Sequence, residues 1–370
     1  MNIRVSDTSS HPLDPLGWSP RVSAAFDAAS RASEHPLVPG RVSAARRGGS
    51  VVRVSGGDVP ADHSPAVLRD ARADPAAAPC TGDWVALRRS GDTWLVEAVL
   101  ERSGTLVRQG IAKDSHDQVL AANVDRVLIC EAADQGPNVG RLERFLSLVW
   151  AGGAEPVVAV TKAELAGDRL PEVVELVRSV APGIEVHVVS AHTGQGLEGL
   201  AERMAPGTTW VLLGTSGAGK SSLVNAVAGR DLMDTGEIRG DKRGRHTTTH
   251  RQLLSMPGGA VVLDIPGVRR IDVPGETEGV DRTFADVTDL AGRCRFRDCA
   301  HGGEPGCAVR AAVDAGELDL SRLERWNRLR REAERNRARG DARLRSEQTR
   351  KWKTATREGR ERGRLKRGGR

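Results

Sequence analysis

The sequence predicts a multidomain chain: a small OB-like β-barrel, a doubly wound α/β domain, and a short Cys- and His-rich domain that runs into a basic tail. Three observations predict it. Between Pro39 and about Gln109, short β-like runs are separated by Gly, Asp and Ser turns, as in a small all-β barrel. Between Asn123 and Gly267, apolar strands alternate with helical stretches, which implies a mainly parallel sheet covered on both faces. Three of the five cysteines crowd into CRFRDCAHGGEPGC. On these shifts of texture the chain divides into a flexible segment at residues 1–36, the barrel at 37–120, the α/β domain at 121–275, the Cys/His domain at 276–320 and a helical or disordered basic tail at 321–370.

Residues 1–36 are rich in Ser, Pro, Asp and Ala without sustained periodicity, a composition expected to stay weakly ordered. The barrel strands are read in GRVSAAR, SVVRVSG, DWVALRR and TWLVEAVL. An OB-like barrel suits oligonucleotide binding, and Trp84 and Trp94 are placed either to stack on bases or to pack the core. The α/β domain reads as strands in VDRVLICEA, EPVVAVTK, IEVHVVSA, TTWVLLG and GGAVVLDIPG, with helices in VGRLERFLSLVWAGG, LPEVVELVRSVAPG, LEGLAERMAPG and KSSLVNAVAG.

No apolar run approaches the roughly 18 residues that span a bilayer, and the N-terminus lacks the apolar segment of a secretory signal. The expectation is a cytoplasmic protein with no membrane partner. The net charge of +6 is unevenly spread: residues 321–370 hold 20 Lys and Arg against 7 Asp and Glu, a local +13, so residues 1–320 carry −7. A tail of that sign is suited to phosphate-rich nucleic acid, with a solvated arm as the alternative.

The strongest local motif is Gly214-Thr215-Ser216-Gly217-Ala218-Gly219-Lys220-Ser221, followed by Ser222, between a predicted strand and a predicted helix. Its glycines let backbone N–H groups converge on phosphate oxygens, Lys220 reaches the terminal phosphates and Ser221 ligates Mg²⁺. The loop alone does not choose between ATP and GTP. Downstream, Asp264 ends a strand with Pro266 and Gly267 behind it, an Asp-x-x-Gly turn whose carboxylate holds Mg²⁺ through water. Between the two lies GRHTTTH, with Thr247, Thr248 and Thr249 as candidate switch threonines and His246 or His250 as candidate water orienters. Upstream, Thr161-Lys162-Ala163-Glu164 is close to the Asn-Lys-x-Asp turn that reads guanine, and Ser190-Ala191 matches the turn that supports it. Base turn, Ser-Ala turn, phosphate loop, threonines, Asp-x-x-Gly: this is the motif set of a GTPase domain in circularly permuted order. Because ligands in such sheets gather at the carboxyl ends of the strands, a permutation that keeps the sheet keeps the site.

Cys294, Cys299, His301 and Cys307 form C-x₄-C-x-H-x₅-C, a Cys₃His set compatible with one closed, structural zinc. Arg293, Arg295 and Arg297 interleave with these ligands and are placed to face RNA phosphate. The isolated Cys130, at the end of VDRVLIC, is read as a small buried hydrophobe.

Together these parts make an OB-like barrel, a circularly permuted P-loop GTPase domain and a zinc-binding domain. From about Arg41 to Arg331 the sequence resembles the circularly permuted, small-ribosomal-subunit-dependent GTPases, the RsgA or YjeQ family, through the permuted order, GRHTTTH and CRFRDCAHGGEPGCAV. The resemblance implies a GTP hydrolase using GTP/GDP, Mg²⁺ and zinc, acting as a monomer on the small ribosomal subunit and its 16S-type rRNA late in maturation, and stimulated by it. Thr161 and Glu164 depart from the family's Asn-Lys-x-Asp. The expectation is that Thr161 loses the amide that ties this turn to the phosphate loop, while Glu164 must absorb one extra methylene to accept the paired guanine N–H donors. No Gln follows Gly267; Val268 and Arg269 stand there, which implies slow intrinsic turnover and outside help. Two other readings share parts of the pattern: a P-loop ATPase of another role, and an RNA-binding protein that uses nucleotide only structurally.

Overall fold

The structure, a computed structural model, describes residues 11–46, 48–108, 117–234, 252–265 and 274–338. They fall into two compact units, described residues 11–108 with 117–265, and 274–338.

The first unit begins with a 3-10 turn at Asp14–Leu16 and helix α1, Pro20–Ala32, in the segment expected to be flexible. The correction has a clear cause. Ser19 caps α1 by accepting from the Val22 N–H, Pro20 occupies the first turn, and Leu13, Leu16 and Val22 are buried in the main core with Trp84. Few apolar residues are present, but they are spaced to reach that core, and composition averages over spacing.

Strands β1 (Val38–Arg46), β2 (Gly49–Val54), β3 (Gly57–His63), β4 (Trp84–Ser90) and β5 (Thr93–Val99) close a barrel in the order β1-β2-β3-β5-β4. All its pairings are antiparallel except β3 with β5, the five-stranded OB-like arrangement. Closure needs sharp local bending. A register shift between Val42 and Ala44 supplies part of it, and a Cβ on Gly40 would come 2.5 Å from Val52 Cγ1. Strand β3 and helix α2 (Pro65–Ala73) escape the sequence pattern because GDVPADH is mostly exposed and carries Pro60. Trp84 is buried core, and Trp94 is partly buried with the Arg89 guanidinium 5.7 Å from its ring.

A ribbon of β6 (Thr105–Arg108) and β7 (Gln118–Ala122) leads into the α/β part, so the expected boundary at residue 120 falls inside a strand. There, β8 (Arg126–Ala132), α3 (Val139–Ala151), β9 (Glu155–Thr161), α4 (Leu170–Val180), β10 (Val186–Val188), α5 (Leu197–Arg203), β11 (Thr209–Leu213), α6 (Lys220–Ala228), β12 (Gln252–Ser255) and β13 (Val261–Asp264) follow one another. The sheet order is β10-β9-β8-β11-β13-β12, parallel throughout except for the edge strand β12. The predicted strands and helices are all present, and among the described strands of this sheet β12, a short half-buried edge, is the one that the sequence did not mark.

One buried charge ties these parts together. Arg41 is 1% exposed; its guanidinium donates to the carbonyls of Leu16, Gly82 (3.1 Å) and Asn123 (3.2 Å), and lies 5.2 Å from the Trp84 ring. Desolvation in that setting pushes Arg41 down to about 10, against the pull of Asp125 and Asp83.

The second unit contains α7 (Glu278–Thr283), α8 (Ala285–Ala291), α9 (Ala308–Asp314) and a helix over residues 320–338. Its core joins Val280, Phe284 and Val309 to Leu323, Trp326, Leu329 and Ala333. Residues 321–333, expected as the start of a tail, are therefore an amphipathic helix of this unit. Its arginines dominate a charge count, while four apolar residues at helical spacing decide its packing.

Candidate nucleotide and metal sites

The phosphate-loop sequence leaves β11 at Gly214 and enters α6 at Lys220. Gly214, Gly217 and Gly219 have φ of +146°, +79° and +78°, conformations that only glycine adopts at little cost. A Cβ on Gly214 would also come 2.6 Å from the Cys130 carbonyl oxygen of β8, so the loop starts hard against its neighbouring strand. The N–H groups of Ser216, Gly217 and Gly219 donate to no acceptor among the described residues, so donors gather at a helix start as a phosphate cradle needs. Lys220 Nζ donates to the carbonyls of Gly214 (2.9 Å) and Thr215 (2.7 Å), folded over the loop it is expected to arm. Ser221 is half-buried and Ser222 exposed in the first turn of α6.

Asp264 ends β13, whose Val262 and Leu263 pair with Trp210 and Val211 of β11. Burial pushes its carboxyl above the usual range, opposed by Lys220; burial likewise pushes Lys220 down, opposed by Cys130 and Asp264. Each charge is short of solvent and is favoured by an opposite charge placed beside it. Cys130 itself is buried, its thiol pushed up to about 12 by desolvation, which matches the inert role expected of it.

The base-turn candidate lies two strands away. Thr161 ends β9 and is buried, and its hydroxyl donates to the Ala218 carbonyl of the phosphate loop at 2.8 Å, with the Glu131 carbonyl at 3.4 Å. The expected loss of that tie is thus corrected: threonine keeps one donor where an amide offers two, and the donor reaches the loop. Lys162 is in the left-handed region, φ +55°, its stem is beside Gly219, and its Nζ is 3.5 Å from Asp134 Oδ2. The Ala163 N–H donates to the Val189 carbonyl (3.2 Å), joining this turn to the Ser190–Ala191 turn after β10. Ser190 is buried and its hydroxyl accepts from the Thr193 N–H at 3.0 Å, so its side chain serves the turn itself. Glu164 is exposed.

All these groups therefore sit at the carboxyl edge of one parallel sheet. His246, Thr247, Thr248, Thr249, His250 and residues 266–269 lie outside the described residues. Two supports escaped the sequence reading. Buried Glu131 receives Arg141 in a two-point ion pair (2.5 and 3.2 Å), fixing the end of β8 beneath Thr161. Asn225 Oδ1 accepts from the N–H groups of Leu232 and Met233, both at 2.9 Å, and holds the chain as it leaves α6. Neither lies in a motif, because each acts through a partner set by the fold.

In the second unit the ligand atoms of Cys294, Cys299, His301 and Cys307 lie within 4.8 Å of one another. The Cys294 and Cys307 sulfurs are 3.9 Å apart and stand 3.6 and 3.5 Å from His301 Nδ1. A tetrahedral zinc with Zn–S near 2.3 Å and Zn–N near 2.05 Å has edges of about 3.8 and 3.6 Å. The residues fit the ion. His301 takes φ +59° to reach this position and packs against Trp326, ring centroids 5.5 Å apart. Glu304 accepts from the N–H groups of Ala300, Gly302 and Gly303 at 2.8–3.1 Å, and these bonds, with its own N–H, hold its carboxyl down at about 2.

A Gly-rich phosphate cradle with its lysine, a carboxylate on the next strand and a base turn tied to the cradle define a P-loop nucleotide hydrolase, wound in permuted order. The family model described as RsgA GTPase matches residues 99–274. The small ribosomal subunit biogenesis GTPase RsgA of Streptomyces avermitilis is 45% identical over 98% of this chain and 96% of its own length, and that of Streptomyces coelicolor 43% over 99% and 100%. Among solved structures, YjeQ from Thermotoga maritima matches at TM-score 0.60 and 26% identity, covering 80% of this chain and 99% of that one. YloQ, described as a circularly permuted GTPase, shares the fold at TM-score 0.58 and 24% identity over 81% and 96%. The chain belongs to the RsgA family of GTPases, and it is a GTP-hydrolysing enzyme.

Thr161→Val keeps the shape and removes the donor to Ala218. A neutral hydrogen bond of this kind contributes about 1 kcal/mol, so guanine-nucleotide affinity is expected to fall about 5-fold, with Thr161→Asn near wild type. Titration with a fluorescent GDP analogue checks this, and equal affinities for the Val variant and wild type would remove the tie from the site.

Proposed function

We propose that the chain hydrolyses GTP while bound to the small ribosomal subunit late in its assembly, and that the subunit stimulates turnover. The observation that carries this reading is the convergence of the phosphate loop, Asp264 and the 161–164 turn on one sheet edge in a chain whose relatives, aligned over nearly their whole lengths, are named for small-subunit biogenesis. Lys220 exchanges the carbonyls of Gly214 and Thr215 for the β- and γ-phosphates. The N–H groups of the loop would meet the same oxygens, and Ser221 and Asp264 would hold Mg²⁺. Bound Mg²⁺ neutralises charge that develops on the phosphates. Glu164 accepts the paired N–H donors of guanine, Lys162 covers the base with its stem, and Thr161 keeps the turn in register with the loop. Thr248 and His246 are assigned to the metal switch and to water placement on sequence spacing alone. With Val268 where many GTPases place a glutamine, turnover by the free chain is slow, and the bound subunit assists His246 in placing the water.

The Cys₃His cluster holds one structural zinc. Three thiolates and an imidazole at tetrahedral spacing favour that ion, and four protein ligands leave no open position for substrate.

Lys220→Ala is expected to lower hydrolysis by at least about 100-fold without changing the melting temperature. Purified small subunits are expected to raise wild-type turnover in the same assay; turnover indifferent to both would overturn the reading. Elemental analysis of freshly purified protein should give one zinc per chain, and Cys299→Ser should loosen residues 274–338, since metal binding in such modules contributes folding free energy on the order of 10 kcal/mol. Protein free of zinc yet fully folded would contradict that assignment.

A further inference from the structure

Phe296 stands out among the aromatic residues. It is 43% exposed, the only aromatic among the exposed large hydrophobic residues described, whereas Phe145 and Phe284 are buried and Phe26 half-buried. An exposed phenylalanine needs a reason, and its surroundings supply one. It lies within the six-residue span from Cys294 to Cys299, both ends of which belong to the metal-ligand cluster. The Cys299 N–H donates to its carbonyl (3.3 Å), and the Arg295 N–H donates to the Gly306 carbonyl (3.0 Å), where a Cβ on Gly306 would come 3.0 Å from Arg295 Cβ. The ring is thus presented on a backbone that is already ordered, and little entropy remains to be lost on binding.

Charge completes the surface. Arg295 and Arg297 flank Phe296 in sequence and Arg293 stands three residues before it; all three are exposed, and among the described residues none is ion-paired with a carboxylate. Most other described arginines near acids are paired, as in Arg53–Asp58, Arg88–Glu97 and Arg322–Asp286. Glu304 is committed to three backbone N–H groups, and the exposed Asp298 beside Arg297 makes no ion pair with these arginines among the described residues, so the loop keeps a net positive charge. The Arg295 guanidinium lies 5.5 Å from the Phe296 ring centroid. An exposed aromatic ring with an arginine on it, in a loop of further arginines that make no ion pairs among the described residues, is the combination by which unpaired bases are stacked while their phosphates are held.

We propose that Phe296 is a stacking platform for an unpaired RNA base, with Arg293, Arg295 and Arg297 binding the adjoining phosphates. The partner is single-stranded RNA of a loop or bulge, because bases in an A-form duplex are already stacked and closed to such a ring. The inference rests on the ribosomal reading above and gives it a contact.

The test uses the full-length, zinc-loaded chain and a fluorescein-labelled single-stranded RNA of mixed sequence, with a perfect RNA hairpin stem as the comparison, each titrated by anisotropy at two salt concentrations. Phe296→Ala and Phe296→Leu are expected to weaken single-strand binding about 10-fold or more, to leave the salt dependence and zinc content unchanged, and to leave the stem alone. Phe296→Trp is expected to bind as wild type. Wild-type affinity in both the Ala and Leu variants would overturn the proposal. So would a Leu variant that binds as wild type while Ala fails, or a loss confined to whole subunits with naked RNA unaffected, since each assigns the ring to an apolar contact with a protein. Stimulation of wild-type turnover by subunits is measured on the same preparation: stimulation with unaltered Phe296 variants refutes this contact alone, and its absence refutes the ribosomal reading.

Discussion

Everything at the nucleotide site depends on the pairing of β8 with β11. These strands are the first and fourth of the sheet in chain order, with β9 and β10 between them, yet Leu213 pairs with Ile129 and Trp210 with Arg126 in parallel register. That pairing joins the sheet half bearing the base turn to the half bearing the phosphate loop and Asp264. Backbone hydrogen bonds take no account of which strand was made first, so the carboxyl edges align as they would in an unpermuted chain. The close approach of Gly214 to the Cys130 carbonyl, and the bond from Thr161 to Ala218, are finer consequences of the same register.

Around that sheet, buried polar groups decide how the remaining parts attach. Arg41 answers the carbonyls of three separate segments, and Asp83, fully buried, receives both Nε and Nη2 of Arg102 at 2.7 Å. Arg102 also donates to the Ala76 and Ala78 carbonyls, pinning the short turn after α2. Charges this deep cost free energy to desolvate and are tolerated because every donor has an acceptor. Their effect is to fix one arrangement of barrel, N-terminal helix and ribbon on the α/β part. In the second unit the four metal ligands and Trp326 hold the corresponding place, since the core there is small.

The α/β part and the site were legible because their signals are local. A Gly-rich loop must contain its glycines, and a buried parallel strand must be apolar through its length. The metal ligands were legible for the same reason: four residues of two scarce types within 14 positions. What stayed hidden depends on partners distant in sequence. The packing of α1 rests on Val22, with Ala25, Phe26 and Ala29 partly buried beside it, in a polar stretch, and that of residues 321–333 on four apolar residues among arginines. Thr161 looked like a loss because its family position is judged by residue type, whereas the structure judges it by where its one donor points. Glu131 and Asn225 carry no motif and are defined by what they support.

The central claim is that this permuted edge reads guanine in spite of Glu164. Its most direct test is the ratio of GDP to ADP affinity for the wild-type chain, measured by calorimetry and repeated for Glu164→Ala. The account predicts that GDP binds at least about 100-fold more tightly than ADP, with the ratio collapsing in the Ala variant, because a carboxylate paired to two donors is what excludes adenine. Equal affinities in the wild type, or a preference untouched by removing the Glu164 carboxylate, would contradict it.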